Sequence, residues 1–412
     1  MSRADAANAQ LAAAGQLTVI LTAATLGRGG FVAADGHLDV AALRAELAAR
    51  LQAGDPRLRR LSQRVVERAG SDPAWRACPP DLDFHIRQVS ATPGRDGLSR
   101  LCSELMTTPL AADRPLWELL LVAGSPDQPA GFVLRFDHCV TDGANGVRLA
   151  QLFLTGTQPA PSAAAVPTTT DKGARLRLGF LRSIAVAWPR IGRTPLLGRL
   201  SSRHEVAFAE VEFAALSAAA RRCGATVNDA LLAAVNQGVA AALAERGAVV
   251  PRTLRVSVPV ALPDRGDSGN ATGVMVVDLP LSCVDIEESL SNISAQTSVA
   301  KQAAREQGTF ELTRSRWSTR LFATMSRYQR FAALFVTNVR GPEQSLRVAG
   351  AEVARLWPVT PLQGNIRLAI AAMSYDGRLG CSVHADQAGV SANAVGIALQ
   401  RAFDDLVATP RS

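Results

Sequence analysis

The chain has 412 residues, of which 48% are hydrophobic and 19% charged, enough for two domains with substantial cores. Its net charge of +8 is carried almost wholly by arginine, since Lys172 and Lys301 are the only lysines; this admits anionic partners, while the 5% of aromatic residues and the lack of a nucleic-acid-binding motif argue against nucleic acid. Six cysteines, at 78, 102, 139, 223, 283 and 381, show neither zinc spacing nor disulfide density and read as reduced thiols of a cytoplasmic protein.

Near the N-terminus, the apolar stretch 17–26 is broken by threonine and followed by Gly-Arg-Gly-Gly, which fits neither a signal peptide nor a membrane span. Asp39 then precedes a helical pattern with Val40, Leu43, Leu47 and Leu51 on one face. The acidic-aromatic run Asp81-Leu-Asp-Phe-His85 leads into a short alternating segment. From 131 to 136, Phe132, Leu134 and Phe136 alternate with Val133 and Arg135 as in a strand. That strand stops at Asp137-His-Cys-Val-Thr-Asp-Gly143, a polar turn that holds the His138 imidazole at a fixed place. Asp142 can tie this turn down through an acceptor-only side chain, and Gly143 is expected to let the backbone turn sharply.

Residues 155–170 are rich in Pro, Ala, Ser and Thr, the composition of a linker. The segment from Lys172 through Arg203 holds seven arginines, Arg203 included, and no acid, interleaved with Leu176, Leu178, Phe180, Ile184 and Trp188. Such a segment reads either as a membrane-surface stretch or as a solvated linker with a few anchoring apolar residues. These features divide the chain into an N-terminal half at 1–157, a basic and apolar crossover at 158–200, and a C-terminal half at 201–412.

In the C-terminal half, Thr226 with Asp229 approximates a capping box at the head of a helix whose Leu232, Val235, Val239 and Leu243 share a face, with Gly247 as its C-cap. Asn228 is left over by that account and can offer its amide to a cleft. Leu254, Val256, Val258 and Val260 alternate as a strand, as do Val274, Val276 and Asp278. Gly269-Asn270 is either a turn or a donor to an oxyanion. Helical patterns at 287–307 and 391–408 flank a hairpin signalled by Asp376-Gly377.

The chemistry these residues allow is centred on His138. A neutral imidazole can take a proton from a hydroxyl or amine as that group attacks a carbonyl, with no covalent enzyme intermediate. Cys139 points to the opposite face of an extended chain and is expected to turn into the core. His85 reads either as a second cleft residue or as a histidine at the edge of the core. His37, His204 and His384 lack a local context that suggests chemistry.

The chain as a whole resembles the bacterial wax ester synthase/diacylglycerol acyltransferase family, a branch of the chloramphenicol acetyltransferase and condensation-domain superfamily. The resemblance rests on Asp81-Leu-Asp-Phe-His-Ile-Arg87, Arg114-Pro-Leu-Trp-Glu118, the turn at 137–143 and Thr226-Val-Asn-Asp229. It continues through Gly269-Asn270, Thr337-Asn-Val-Arg-Gly-Pro342, Pro361-Leu362 and Ser374-Tyr-Asp-Gly377.

The resemblance implies an α/β fold of two chloramphenicol-acetyltransferase-like halves, with mixed sheets, flanking helices and an active-site tunnel between them. It implies acyl transfer from an acyl-coenzyme A thioester to an alcohol, giving wax esters or acylglycerols, with no metal and no cofactor. His138 matches the catalytic second histidine of the family, Asp142 the loop-fixing aspartate and Gly143 the glycine after it. Asn228, Asn270, Asp137 and His85 are the expected substrate-binding residues. Asp137 stands where the family has its first histidine, and the chain is shorter than typical members. Two alternatives therefore stand beside this reading: transfer to an amine or specialised-metabolite hydroxyl, with a carrier-protein thioester as donor, and a non-catalytic lipid-binding homologue. Peripheral contact with a membrane or lipid droplet is a further expectation.

Overall fold

The computed structural model describes all residues except 69–70, 142, 158–190, 262–271, 284, 308–325 and 409–412. The first part of the chain forms α1 (Arg3–Ala13), β1 (Val19–Leu26), α2 (Val40–Gln52), a hairpin of β2 (Gln63–Arg68) and β3 (Ser71–Ala77), the single turn α3 (Leu82–His85), β4 (Ile86–Gln88), α4 (Gly94–Leu105), β5 (Trp117–Val122), β6 (Ala130–Asp137) and α5 (Gly143–Thr155). After the crossover come β7 (His204–Glu212), α6 (Phe213–Arg222), α7 (Val227–Glu245), β8 (Leu254–Ala261), β9 (Thr272–Leu279) and α8 (Ile286–Gln307). The chain ends with β10 (Leu334–Arg340), β11 (Arg347–Val348), β12 (Ala351–Val359), β13 (Leu368–Tyr375), β14 (Arg378–Asp386) and α9 (Ala392–Ala408).

Local chemistry accounts for many of these boundaries. Asp39 caps α2 by accepting from the Ala42 amide, and Thr226 with Asp229 forms a complete capping box on α7. Asp376 and Gly377 take φ of +43° and +73° and join β13 to β14 through the two-residue turn that the Asp-Gly pair favours. The apolar stretch at 17–26 becomes β1, an inner strand that pairs with β6 on one side and β12 on the other.

Two six-stranded mixed sheets organise the molecule, in the orders β11-β12-β1-β6-β5-β4 and β7-β14-β13-β10-β8-β9. The first contains two strands from the far end of the chain, so residues 347–359 belong spatially to the N-terminal sheet, and a split into 1–157 and 201–412 does not follow the sheets. β6 is buried along its whole length on both faces rather than on one, because one face packs under α5 and the other against α4 and Trp357. α7 is long and apolar enough to cross a membrane, but 67% of its apolar window is buried inside the C-terminal half, as in the core helix of a folded domain.

The two sheets are joined by specific contacts. Phe208 of β7 stacks on Trp357 of β12 with centroids 4.9 Å apart and planes 9° apart. Ser99 on α4 donates to the Val206 carbonyl, while the Val206 amide donates to Ser103 one turn further on. The Tyr375 hydroxyl donates to the Val353 carbonyl at 2.6 Å and accepts from the Leu346 amide at 2.9 Å.

Candidate active site

The pairing of Val19 with Asp137 brings the start of β1 and the end of β6 to one edge of the first sheet, and His138 is the next residue outward. Its amide donates to the Thr18 carbonyl at 2.9 Å, which prolongs the ladder by one bond. Both oxygens of Asp137 serve the turn: Oδ2 accepts from Thr18 Oγ1 at 2.8 Å and Oδ1 from the Cys139 amide at 2.9 Å. Asp137 is accordingly a buried turn residue, with its acceptors spent on its own loop rather than offered to a substrate.

Two further elements clamp the turn from outside. Arg60, after α2, donates to the Val140 carbonyl at 2.9 Å and pairs with Asp5 of α1 at 2.8 Å. Asn8, one turn along α1, lays its side-chain amide across the half-buried histidine, with Nδ2 at 3.3 Å from His138 Nδ1 and 3.2 Å from the His138 carbonyl. The contact anchors the imidazole along its Nδ1 edge. Neither Asn8 nor Arg60 stands in any local pattern that marks it in the sequence. The contact from Asn8 spans 130 positions and exists only through the fold.

Cys139 turns inward as expected, with no exposed surface, and burial pushes its thiol far up, away from the thiolate a nucleophile needs. Gly143 opens α5, yet its backbone is not left-handed; a Cβ there would meet Val339 Cγ2 of β10 at 3.6 Å, an ordinary contact. What its position shows is that β10 of the second sheet abuts the histidine turn of the first. Beneath α5 a narrow apolar slot runs between the halves, walled by Leu134, Val147, Leu154, Leu346 and Met373.

The remaining expected site residues are distributed differently. His85 is a core residue: it has no exposed surface, stacks on Trp117 with centroids 4.5 Å apart, and donates from Nδ1 to the Trp117 carbonyl at 2.6 Å. Burial lowers its pKa, so a neutral ring fits that place. Trp117 in turn donates to the Leu61 carbonyl, and Glu118 is buried between Arg87 at 2.9 Å and Arg135 at 3.0 Å. Through His85, Arg87, Trp117 and Glu118 the two motifs at 81–87 and 114–118 thus brace β5 and β6 behind the turn. Asn228 is half-buried on the first turn of α7, without a hydrogen-bond partner among the described residues and without a bond to the turn. Asp142 and Asn270 lie outside the described residues, as does most of the basic crossover. Arg255 forms a two-pronged cross-strand pair with Asp278 at 2.9 and 3.1 Å.

A cavity of 1360 Å³ opens beside this edge of the first sheet. It is bordered by Gln16 and Leu17 just before β1, by residues 193–202 at the end of the crossover, and by Pro361 and Leu362 just after β12. His138 does not line it, but the carbonyl that receives the His138 amide belongs to Thr18, the neighbour of Leu17.

Comparison with known proteins agrees with this architecture. Residues 1–188 match the wax ester synthase/diacylglycerol acyltransferase catalytic domain, and residues 268–406 match the WS/DGAT C-terminal domain. A Mycobacterium bovis protein described by name as a diacylglycerol O-acyltransferase is 30% identical over 270 residues, covering 58% of this chain and 60% of its own length, so this chain spans about three fifths of that relative. Among solved structures, the wax ester synthase/diacylglycerol acyltransferase of Marinobacter aquaeolei VT8 superposes with a TM-score of 0.70 at 22% identity, covering 95% of this chain and 94% of that one. The starter condensation domain of rhizomide synthetase shares the fold with a TM-score of 0.58 at 13% identity, covering 97% of this chain and 92% of its own. The chain belongs to the wax ester synthase/diacylglycerol acyltransferase family.

Proposed function

We propose that this protein is an O-acyltransferase that moves an acyl group from an acyl-coenzyme A thioester to an alcohol, with His138 as the general base. The imidazole takes the hydroxyl proton as the oxygen attacks the thioester carbonyl. The tetrahedral oxyanion collapses, the carbon–sulfur bond breaks, and the departing thiolate takes the proton back from the imidazolium. No residue is acylated in this scheme, in keeping with a Cys139 thiol sealed in the core. The relative from Mycobacterium bovis carries a diacylglycerol acyltransferase name, which makes an acylglycerol hydroxyl the first acceptor to assay.

The observation that carries the reading is the histidine turn itself. One imidazole stands at a sheet edge where β10 of the opposite half abuts α5, and its backbone is tied by Thr18 while its flanks are tied by Asp137, Arg60 and Asn8. Such rigidity is what positioning a base demands. Replacing His138 with Ala should lower turnover of diacylglycerol or fatty alcohol with long-chain acyl-CoA by about a thousandfold, with an unchanged melting temperature. Product formation is followed by mass spectrometry, and a His138→Ala protein with undiminished turnover would falsify the assignment.

A further inference from the structure

Two histidines that no local pattern singles out meet on one face of the second sheet. His204 opens β7 and pairs in register with Asp386 of β14, and His384 stands two residues earlier on β14, on the same face. The ring centroids lie 5.0 Å apart, with His204 Nδ1 at 3.0 Å from His384 Nε2. The outer nitrogens face backbone carbonyls: His384 Nδ1 lies 2.8 Å from the oxygen of Thr360, just past β12, and His204 Nε2 lies 3.1 Å from the oxygen of Ser201. One chain of contacts thus runs from the end of β12, a strand of the first sheet, through β14 and β7 to the segment that leads in from the crossover.

This chain is short of a proton when both rings are neutral. A carbonyl oxygen only accepts, so each outer nitrogen must carry a proton to bond it, and the two inner nitrogens need one more between them. Three bonds therefore require three ring protons, whereas two neutral imidazoles hold two. A neutral pair is always one bond short, and a pair with one positive charge makes all three. His384 is 1% exposed and has the shorter of the two carbonyl contacts, so its proton stays on Nδ1 and its Nε2 presents a lone pair. The choice falls on the half-buried His204, whose single proton when neutral serves either His384 or Ser201. Burial lowers the pKa of both rings, that of His384 to about 3, while the nearby Asp386 carboxylate favours a charge on either. Burial also works to raise the Asp386 carboxyl, but the Ser201 hydroxyl, the Ser201 amide and the Ala388 amide donate to it and hold it below its ordinary range, so it stays anionic.

We infer that His204 is a proton-operated clasp: protonated, it bonds Ser201 and His384 together and locks the segment before β7 onto β14, while neutral it holds one of them and releases the other. Asp386 grips the amide and hydroxyl of Ser201 in both states, so the proton tightens a joint that does not open fully. The half-buried ring next to an ionised carboxylate takes the extra proton, and its burial sets the midpoint below the ordinary histidine value of about 6.5. The clasp therefore closes as pH falls and loosens as pH rises. It does not depend on the acyl-transfer reading.

The test is nitrogen NMR of the full-length protein labelled with 15N in its histidine rings and followed from about pH 8 to about pH 4.5. At the alkaline end His384 should show one fixed tautomer with its proton on Nδ1, and His204 a mixture of its two tautomers. On acidification His204 should become the imidazolium with a midpoint below about 6.5, while His384 stays neutral. In His384→Leu the inner acceptor is gone, so His204 should sit in its Nε2–H tautomer alone and take its proton at lower pH still. Hydrogen exchange supplies a second readout that needs only the milder His204→Gln variant. In the wild type the amides of residues 196–203, corrected for intrinsic exchange, should slow about fivefold across the His204 midpoint, the value of one added hydrogen bond, and in His204→Gln they should not respond. A His204 fixed in one tautomer at alkaline pH, a His384 that ionises along with it, or no His204 ionisation above about pH 4.5 would each overturn the clasp. Exchange that is unchanged in the wild type, or that slows equally in His204→Gln, would overturn it as well.

Discussion

At the scale of single residues, the histidine turn shows how a departure from the family pattern is accommodated. Asp137, which the resemblance sets where the family has its first histidine, uses its two oxygens here to hold the Thr18 hydroxyl and the Cys139 amide. Both are jobs for an acceptor or for a neutral hydrogen-bonding partner, not for a charge. Asp137→Asn keeps the oxygen for the Cys139 amide and offers its NH2 group to Thr18 Oγ1, so it should retain most of the activity. Asp137→Ala loses both bonds; it should cost about 1–2 kcal/mol of stability and lower kcat roughly tenfold with little change in KM. Steady-state kinetics with urea unfolding of the two variants checks this, and equal damage from Asn and Ala would show that the negative charge matters after all.

At the scale of elements, the paired motifs of the N-terminal half turn out to be a brace. Glu118 of β5 is 2% exposed and bonds Arg87 and Arg135, whose strands flank β5 on either side. Removing one member of a buried ionic group leaves the others uncompensated, which costs more than the group contributes when intact. Glu118→Ala should therefore destabilise the protein by about 3–5 kcal/mol and should reduce activity only through loss of folded protein. Thermal melts with activity normalised to the folded fraction would reveal a catalytic role if a specific loss persisted. The same strands show what was legible in sequence. Period-two alternation gives β8 and β9, Asp376-Gly377 gives the last hairpin, and Thr226 with Asp229 gives the head of α7, because each is settled by residues within a few positions of one another. The motif at 114–118 is visible as a pattern, but its brace-like role is not, since Arg87 and Arg135 reach Glu118 from separate strands. α1 is an alanine-rich helix without a marked apolar face, and Asn8 meets the histidine turn only through tertiary packing.

At the scale of the whole molecule, the decisive feature is the excursion of residues 347–359 into the first sheet. β12 covers the side of β1 that would otherwise be an open edge, with registers running from Leu21 with Val359 to Leu26 with Val353. It also carries Trp357 onto Phe208 and receives, at Thr360 just beyond it, the Nδ1 proton of His384 from β14 at 2.8 Å. The C-terminal part of the chain thus completes the sheet on which His138 stands, and the same connection leads directly into Pro361 and Leu362 at the cavity wall. A fragment of residues 1–200 would lack both β11 and β12. It would leave β1, buried on both faces and rich in β-forming residues, as a bare edge open to pairing with another chain. Expressed alone, that fragment should aggregate or remain without a cooperative unfolding transition, whereas co-expression with residues 201–412 should recover a soluble complex with measurable acyl transfer. Circular dichroism melts and size-exclusion chromatography decide the matter. A 1–200 fragment that melts cooperatively as a monomer would mean that the first half needs no strand from the second, and that the shared sheet is not what holds the histidine turn at the junction.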